Sequence, residues 1–352
     1  MRIGVPRELK PLEGRVGLIP AACASLIGEG HEVYVETNAG KKSGYDDDQY
    51  RAIGVNIAGD AASLFKTSEM IVKVKEPIEP DLEHLRSDHL LFCYLHLAAL
   101  PELTQRLCDI GAVCVAFETV EDAQHRLPLL APMSDIAGRL SIQVGTHLLH
   151  QPQGGKGILL GGIPAAKRGK VVILGGGVAG GNAAVVAAGL GAEVTVFDMD
   201  RDKLEKARQL GPNVTGLYPH AADVEEAVSV ADIAVGAVLV TGERAPHVVS
   251  EDMVRNMSAG SVVIDISVDQ GGCVETTHPT TYADPTYRVH DVIHFCVTNM
   301  PGAVPRTASQ ALSAAIAPYV VRLAQPGWRD HEPLRRGINI EGGQVTHPAL
   351  HR

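Results

Sequence analysis

Short apolar runs rich in β-branched residues punctuate the first third of the chain at 3–5, 33–35, 70–74, 90–95 and 113–117. Stretches of helical length separate several of them, notably 20–28 and 101–108. Apolar runs of strand length that alternate with helices predict parallel pairing through right-handed crossovers, hence an open α/β sheet ending near residue 130. A second series follows the glycine-rich stretch 154–162, with strands expected at 171–174, 194–197, 233–238, 262–266 and 292–297. Between the two series, Ile136, Leu140, Val144 and Leu148 recur at helical spacing, so a long helix over 133–149 is expected to bridge two domains. A further helix over 308–324 lies beyond the second series, which predicts that the chain crosses back and packs its C-terminal tail on the first domain.

Composition narrows the function classes. A chain of 352 residues exceeds the size at which one core usually stops growing, in keeping with two domains. A formal net charge of −10 leaves no basic footprint, which argues against nucleic acid or an anionic membrane as partner and for a small ligand. The six cysteines (Cys23, Cys93, Cys108, Cys114, Cys273 and Cys296) show no CxxC spacing and are expected to be buried, reduced thiols. The opening MRIGVPRELK places charges at Arg2, Arg7 and Glu8 and leaves no room for a secretory apolar core, so a cytoplasmic location is expected. Residues 171–192 carry no charge over 22 positions, but seven of these are glycine, and a strand, a glycine turn and a buried helix explain the run better than a membrane span.

The most specific motif lies in that run. Val171, Val172, Ile173 and Leu174 lead directly into Gly175, Gly176, Gly177, Val178, Ala179 and Gly180, and a small-residue helix is expected over 182–188. Gly175, Gly177 and Gly180 fit GxGxxG in the strand–loop–helix setting that a dinucleotide requires: a tight turn, backbone amides close to a pyrophosphate, and close helix-to-strand packing. The next strand ends at Asp198, 18 residues past Gly180. A carboxylate there accepts hydrogen bonds from a ribose 2′-hydroxyl and repels a 2′-phosphate, favouring NAD over NADP, although Arg201 nearby tempers that preference. The bland alternative is a tight turn with no ligand and a solvated aspartate.

Ligands of open α/β sheets collect outside the carboxyl ends of the strands. That rule singles out Lys75, His96, Asp198, Asp269 and Asn299, and predicts that both domains aim polar groups at a shared edge. Each has a plainer reading: Lys75 beside Glu76 as a solvated strand end, His96 between leucines as a hydrogen-bonded core histidine, Asp269 before Gln270-Gly271-Gly272 as an Asx-type turn. Arg15, in the turn Gly14-Arg15-Val16, reads equally well as a surface arginine. No metal set stands out among the fifteen histidines, and no GxSxG or nucleophile–base pair is found.

The segments MRIGVPRELKPLEGRVGLIPAA, IVKVKEP, FCYLHLAA, APMSDIAGR, QGGKGILLGG, DISVDQGGC and NMPGAVPRT, in that order, resemble those of the alanine dehydrogenase family, from Met1 to the QVTHPAL tail. The resemblance implies two doubly wound Rossmann-like domains. A nucleotide-binding domain (131–306) would be inserted into a discontinuous catalytic domain (1–130 plus 307–352). It implies reversible NAD-dependent oxidative deamination of L-alanine to pyruvate and ammonium. Arg15 and Lys75 would hold the substrate, His96 would be the general acid/base, and Asp269 would assist with water or ammonia. Ser134, Val178, Ala179, Asp198, Lys203, Val238, Leu239, Ile266, Ser267, Val268, Asp269, Val297, Thr298, Asn299 and Met300 match family positions that line the NAD site. It also implies a homohexamer.

Three residues depart from the family pattern: Pro219 stands where a serine touches the adenosine, His278 where some members carry an arginine, and Ile19 where a threonine is common. The competing readings are the nucleotide-binding subunit of proton-translocating transhydrogenase, which shares the RxGxPxE opening, and an NAD-binding protein without turnover. His96 within YLHLAA together with Lys75, and the intact MSDIAGR block, favour the dehydrogenase over the first; the retained Arg15, Lys75, His96 and Asp269 favour it over the second.

Overall fold

A computed structural model describes residues 1–238 and 246–350. The chain divides into two compact units, one formed by Met1–Met133 together with the segment from Gly302 onward, the other by Ser134–Pro301.

The sheet of the first unit has eight strands. Six come from the N-terminal segment: β1 (Arg2–Val5), β2 (Glu32–Glu36), β3 (Asn56–Ala58), β4 (Met70–Val72), β5 (Leu90–Cys93) and β6 (Val113–Ala116). Two come from the C-terminal segment, β14 (Ile338–Glu341) and β15 (Gln344–Val345), and the order across the sheet is β15-β14-β6-β5-β4-β1-β2-β3. The six N-terminal strands pair in parallel, while β14 joins β6, and β15 joins β14, in antiparallel fashion. Strands covered on both faces read as unbroken apolar runs, as β4 and β5 do: every residue of both is buried. The helix Pro20–Gly28 starts at its proline, whose missing N–H costs nothing in a first turn; Pro101–Ile110 starts the same way and stops at Gly111, whose φ of 78° only glycine adopts cheaply.

The second unit holds a seven-stranded sheet built from β7 (Lys170–Leu174), β8 (Glu193–Phe197), β9 (Val214–Leu217), β10 (Ile233–Gly236), β11 (Val262–Asp265), β12 (Thr286–Val289) and β13 (Val292–Phe295), in the order β12-β13-β11-β10-β7-β8-β9. All neighbours are parallel except the edge pair β12 and β13. Alternation along the strands feeds two cores. Val171, Ile173, Val235 and Ile264 pack on the alanines of the helix Val178–Gly189, while Val172, Leu174, Ala234 and Val263 face the opposite layer.

The long helix expected over 133–149 runs from Ala131 to Leu148, most of it in the second unit. Its Gly138 packs so closely on the helix Val178–Gly189 that a Cβ there would collide with the Ala179 carbonyl oxygen.

Both sheets therefore share one winding. The chain lays down a first strand, moves outward by two, then returns to the other side of the first, leaving a topological switch point between β1 and β4 and another between β7 and β10. The expected fold class holds, with local differences. β3, β9, β12 and β15 escape the pattern because these edge strands lack an apolar run, and β14 because Asn339 interrupts its apolar residues in INIE. The helix expected over 182–188 begins at Val178, because glycine and alanine after the turn continue the helix without strain. The six cysteines are unpaired, five of them buried and Cys108 partly so. Among the described residues no helix is long and apolar enough to cross a membrane.

Candidate active site

At the carboxyl edge of the first sheet, topology places the loops after β1, β4, β5 and β6 side by side. Lys75 leaves β4 and His96 leaves β5, and the Lys75 ammonium lies 3.4 Å from His96 Nε2. Burial pushes the half-buried Lys75 below its ordinary pKa; Glu76 opposes this, and the charges of Arg15 and Lys10 add to the lowering. The Tyr94 ring lies nearly parallel to that of His96, with centroids 5.9 Å apart, and the Tyr94 hydroxyl is tied to the Leu129 carbonyl at 2.6 Å.

Arg15 is not the surface residue that its turn also allowed. It is 2% exposed and forked onto Glu13, Nε to Oε1 at 2.7 Å and Nη2 to Oε2 at 2.6 Å, while Nη1 donates to Met133 Sδ at 3.2 Å. Burial disfavours its charge, but the Glu13 carboxylate more than reverses this and holds the guanidinium above its ordinary value. A cation kept charged and oriented in a buried place suits a carboxylate-bearing substrate.

The backbone that presents Lys75 is gripped by residues that the sequence reading passed over. Glu8, on the loop after β1, accepts from the amides of Val74 at 2.6 Å and Lys75 at 3.4 Å. Lys73, fully buried, lies 3.8 Å from Glu8 and 2.6 Å from Asp81. Burial alone would discharge Lys73, but these two carboxylates reverse that and raise its pKa. An ammonium between two carboxylates neutralises charges that would otherwise be costly to bury.

In the second unit the glycine turn leaves β7 at the switch point. Gly175 has φ of 96°, and a Cβ there would lie 2.5 Å from the Ala237 carbonyl oxygen; a Cβ on Gly180 would collide with the Gly175 carbonyl oxygen. Gly177 differs. Its φ of −67° and ψ of −159° suit any residue, and a Cβ there would meet nothing within 4 Å. A glycine that the fold itself does not require, at the start of a helix of 12 residues, leaves room in which an anion could approach the backbone amides closely.

Asp198, at the end of β8, closes this turn: its carboxylate accepts from Gly176 N at 2.7 Å and Asp200 N at 2.8 Å, with the Lys203 ammonium 3.4 Å away. Val178 is exposed, and Ala179 and Ser134 are half-buried. These residues fit the phosphates and ribose of a dinucleotide.

The remaining candidates lie at the ends of β10, β11 and β13 in the same unit. Val238 is half-buried, whereas Leu239 lies outside the described residues. Ile266, Ser267 and Val268 follow β11, and Asp269 is exposed on the short 3-10 turn Val268–Gln270. That loop is held by Asp265, which is completely buried and accepts from the amides of Ser267 at 2.9 Å, Cys273 at 2.9 Å and Val274 at 3.2 Å and from the Thr277 hydroxyl at 2.8 Å. Val297 and Met300 are buried, Thr298 and Asn299 half-buried, and Asn299 has a left-handed φ of 62°. Pro219 is half-buried two residues beyond β9, and His278 stacks on Tyr287 with ring centroids 3.9 Å apart.

Two wound α/β sheets, a glycine turn closed by an acid-ended strand, and a lysine–histidine pair at a strand edge define a dehydrogenase-type architecture with two Rossmann-like units. Comparison with known proteins agrees. The chain belongs to the alanine dehydrogenase/PNT family, whose N-terminal domain matches residues 4–137 and whose C-terminal domain matches residues 141–348.

It is 46% identical to the alanine dehydrogenase of Halomonas elongata over 99% of this chain and 96% of that one. Against the alanine dehydrogenase of Bacillus subtilis it is also 46% identical, covering 100% of this chain and 94% of that one. A solved L-alanine dehydrogenase superposes with a TM-score of 0.96 at 49% identity, over 99% of this chain and 98% of the other. A transhydrogenase from Sinorhizobium meliloti superposes with a TM-score of 0.86 at 24% identity, over 99% of this chain and all of that one, which speaks to the fold alone.

Proposed function

We propose that the chain catalyses the reversible oxidative deamination of L-alanine to pyruvate and ammonium with NAD. The observation that carries the reading is the Lys75–His96 contact at 3.4 Å on the carboxyl edge of the first sheet, with buried Arg15 on a neighbouring loop. Arg15 and Lys75 supply positive charge for the substrate carboxylate and carbonyl end. Lys75 Nζ faces His96 Nε2 at 3.4 Å. Once bound substrate engages the Lys75 ammonium, that ring nitrogen takes a proton from water or the carbinolamine hydroxyl and returns it as that intermediate forms and collapses. Asp269 assists by orienting water or ammonia.

NAD, when bound, supplies the acceptor for the hydride that leaves Cα. Gly175, Gly177, Val178, Ala179 and Gly180 would hold its pyrophosphate and Asp198 its ribose hydroxyls. Lys203, Ser134, Val238, Leu239, Ile266, Ser267, Val268, Asp269, Val297, Thr298, Asn299 and Met300 would line the rest of its site. The Asp198 carboxylate disfavours a 2′-phosphate, which supports NAD over NADP.

The enzyme works as a cytoplasmic homohexamer. Six unpaired cysteines suit a reducing compartment, and the exposed Leu159, Ile163 and Leu190 suit contacts between subunits. Initial rates with a panel of amino acids and both nicotinamide cofactors test the reading. The highest kcat/KM is expected for L-alanine with NAD, and absence of NADH formation from L-alanine at mildly alkaline pH would defeat it.

A further inference from the structure

His96 has a left-handed backbone, φ 52° and ψ 34°, in a position that follows β5 and precedes the 3-10 turn Leu97–Ala99. Left-handed geometry brings Cβ against the backbone, and where a side chain other than glycine persists in it, the surroundings hold it there. The structure contains the holding group. Glu118 lies on the 3-10 turn Phe117–Thr119 that follows β6. The parallel register sets Cys93 opposite Ala116, so two residues further along β6 and three along β5 bring Glu118 beside His96. Its carboxylate accepts from the Leu95 amide at 3.1 and 3.3 Å and from the His96 amide at 2.6 Å. These two amides, at the point where the β5 ladder stops, would otherwise need another acceptor, and a carboxylate accepting from backbone N–H makes the stronger, charge-assisted kind of bond.

We infer that Glu118 is a positioning residue for the reaction: its carboxylate clamps the amides of Leu95 and His96 and so fixes the left-handed turn that aims the imidazole at Lys75. Glu118 does not touch the reacting atoms in this account; it acts through His96. The inference rests on the reading of His96 as the group that moves the proton.

The test compares Glu118→Gln, Glu118→Ala and His96→Ala with the unaltered enzyme. Glu118→Gln keeps the volume but removes the charge that strengthens both bonds to Oε1, and it replaces Oε2, which accepts from Leu95 N at 3.3 Å, with an amide NH₂ that opposes that N–H. Loosening the turn is expected to lower kcat on the order of 100-fold, with the dissociation constant for NADH unchanged because that site is built by other residues. Hydrogen exchange of the peptide covering 94–100 is expected to quicken in both Glu118 variants. Unchanged kcat in Glu118→Gln, with His96→Ala inactive, overturns the positioning role and leaves the reading of His96 standing. A His96→Ala enzyme that still turns over overturns both. If Glu118→Ala does not fold, Glu118→Gln decides. The unaltered enzyme gives a further check: slow exchange of the Leu95 and His96 amides supports the clamp, and exchange as fast as in an open loop overturns it.

Discussion

Replacing Gly177 by alanine separates a ligand's demand on the glycine turn from the fold's own. The backbone at this position lies in the extended region, φ −67° and ψ −159°, and the new methyl group would meet no protein atom within 4 Å. Two small effects on the free protein oppose each other: alanine is a poorer helix N-cap than glycine, but it loses less chain entropy on folding, so stability should change by less than about 1 kcal/mol. A bound pyrophosphate would feel the substitution directly. The methyl group stands where a phosphate oxygen must approach the first amides of the helix Val178–Gly189, and losing one charge-assisted hydrogen bond costs about 1.5–3 kcal/mol. That corresponds to a roughly 10- to 150-fold weaker dissociation constant.

Fluorescence titration with NADH measures the affinity, and a thermal melt of the ligand-free protein measures the fold. Gly180→Ala is the contrast: its Cβ would collide with the Gly175 carbonyl oxygen, and the free protein should lose about 1–3 kcal/mol as the helix is pushed off β7. An unchanged NADH affinity in Gly177→Ala would refute the reasoning, because the turn would then serve only the chain.

Two further predictions follow from the same geometry. Asp198→Ala removes the ribose acid and also the acceptor for Gly176 N and Asp200 N; it should raise the KM for NAD and weaken the discrimination against NADP, and unchanged kinetics with both cofactors would take Asp198 out of the site. His294 is wholly buried and neutral when folded, with Nδ1 donating to the Val292 carbonyl and Nε2 accepting from the Thr276 hydroxyl, and burial pushes its pKa down from 6.5 to about 4. Below pH 6.5 the unfolded chain binds a proton that the folded one refuses, so stability should fall between pH 6.5 and about 4, by up to about 3 kcal/mol. Urea melts across that range should show a shallower acid limb in His294→Gln; identical limbs would contradict the assignment.

How much was legible depended on the kind of signal. Interior parallel strands announce themselves as apolar runs, so β1, β4, β5, β7, β10 and β11 and the polar residues just beyond them, Lys75 and His96 among them, stood out from the chain alone. The same rule applied to 113–117 points at Glu118, but a glutamate beside a threonine looks in sequence like any solvated strand end. The pairing of Arg15 with Glu13, and of Lys73 with Glu8 and Asp81, was not legible, since burial of a charge depends on a partner fixed by the tertiary fold and not on periodicity. Asp265 falls inside an expected strand, where the sequence gives no sign that the amides of Ser267, Cys273 and Val274 and the Thr277 hydroxyl converge on it. The individual glycines of the turn also looked alike in sequence. Only the backbone angles and the space around each Cβ separate Gly175 and Gly180, which the fold requires, from Gly177, which it does not.

The most direct test follows the hydrogen on Cα of L-alanine. With substrate deuterated at that carbon and unlabelled NAD in ordinary water, the account predicts one deuterium on the nicotinamide ring of the reduced product, and NMR of the isolated cofactor reads it. Deuterium released to solvent, with the reduced cofactor unlabelled, would contradict it.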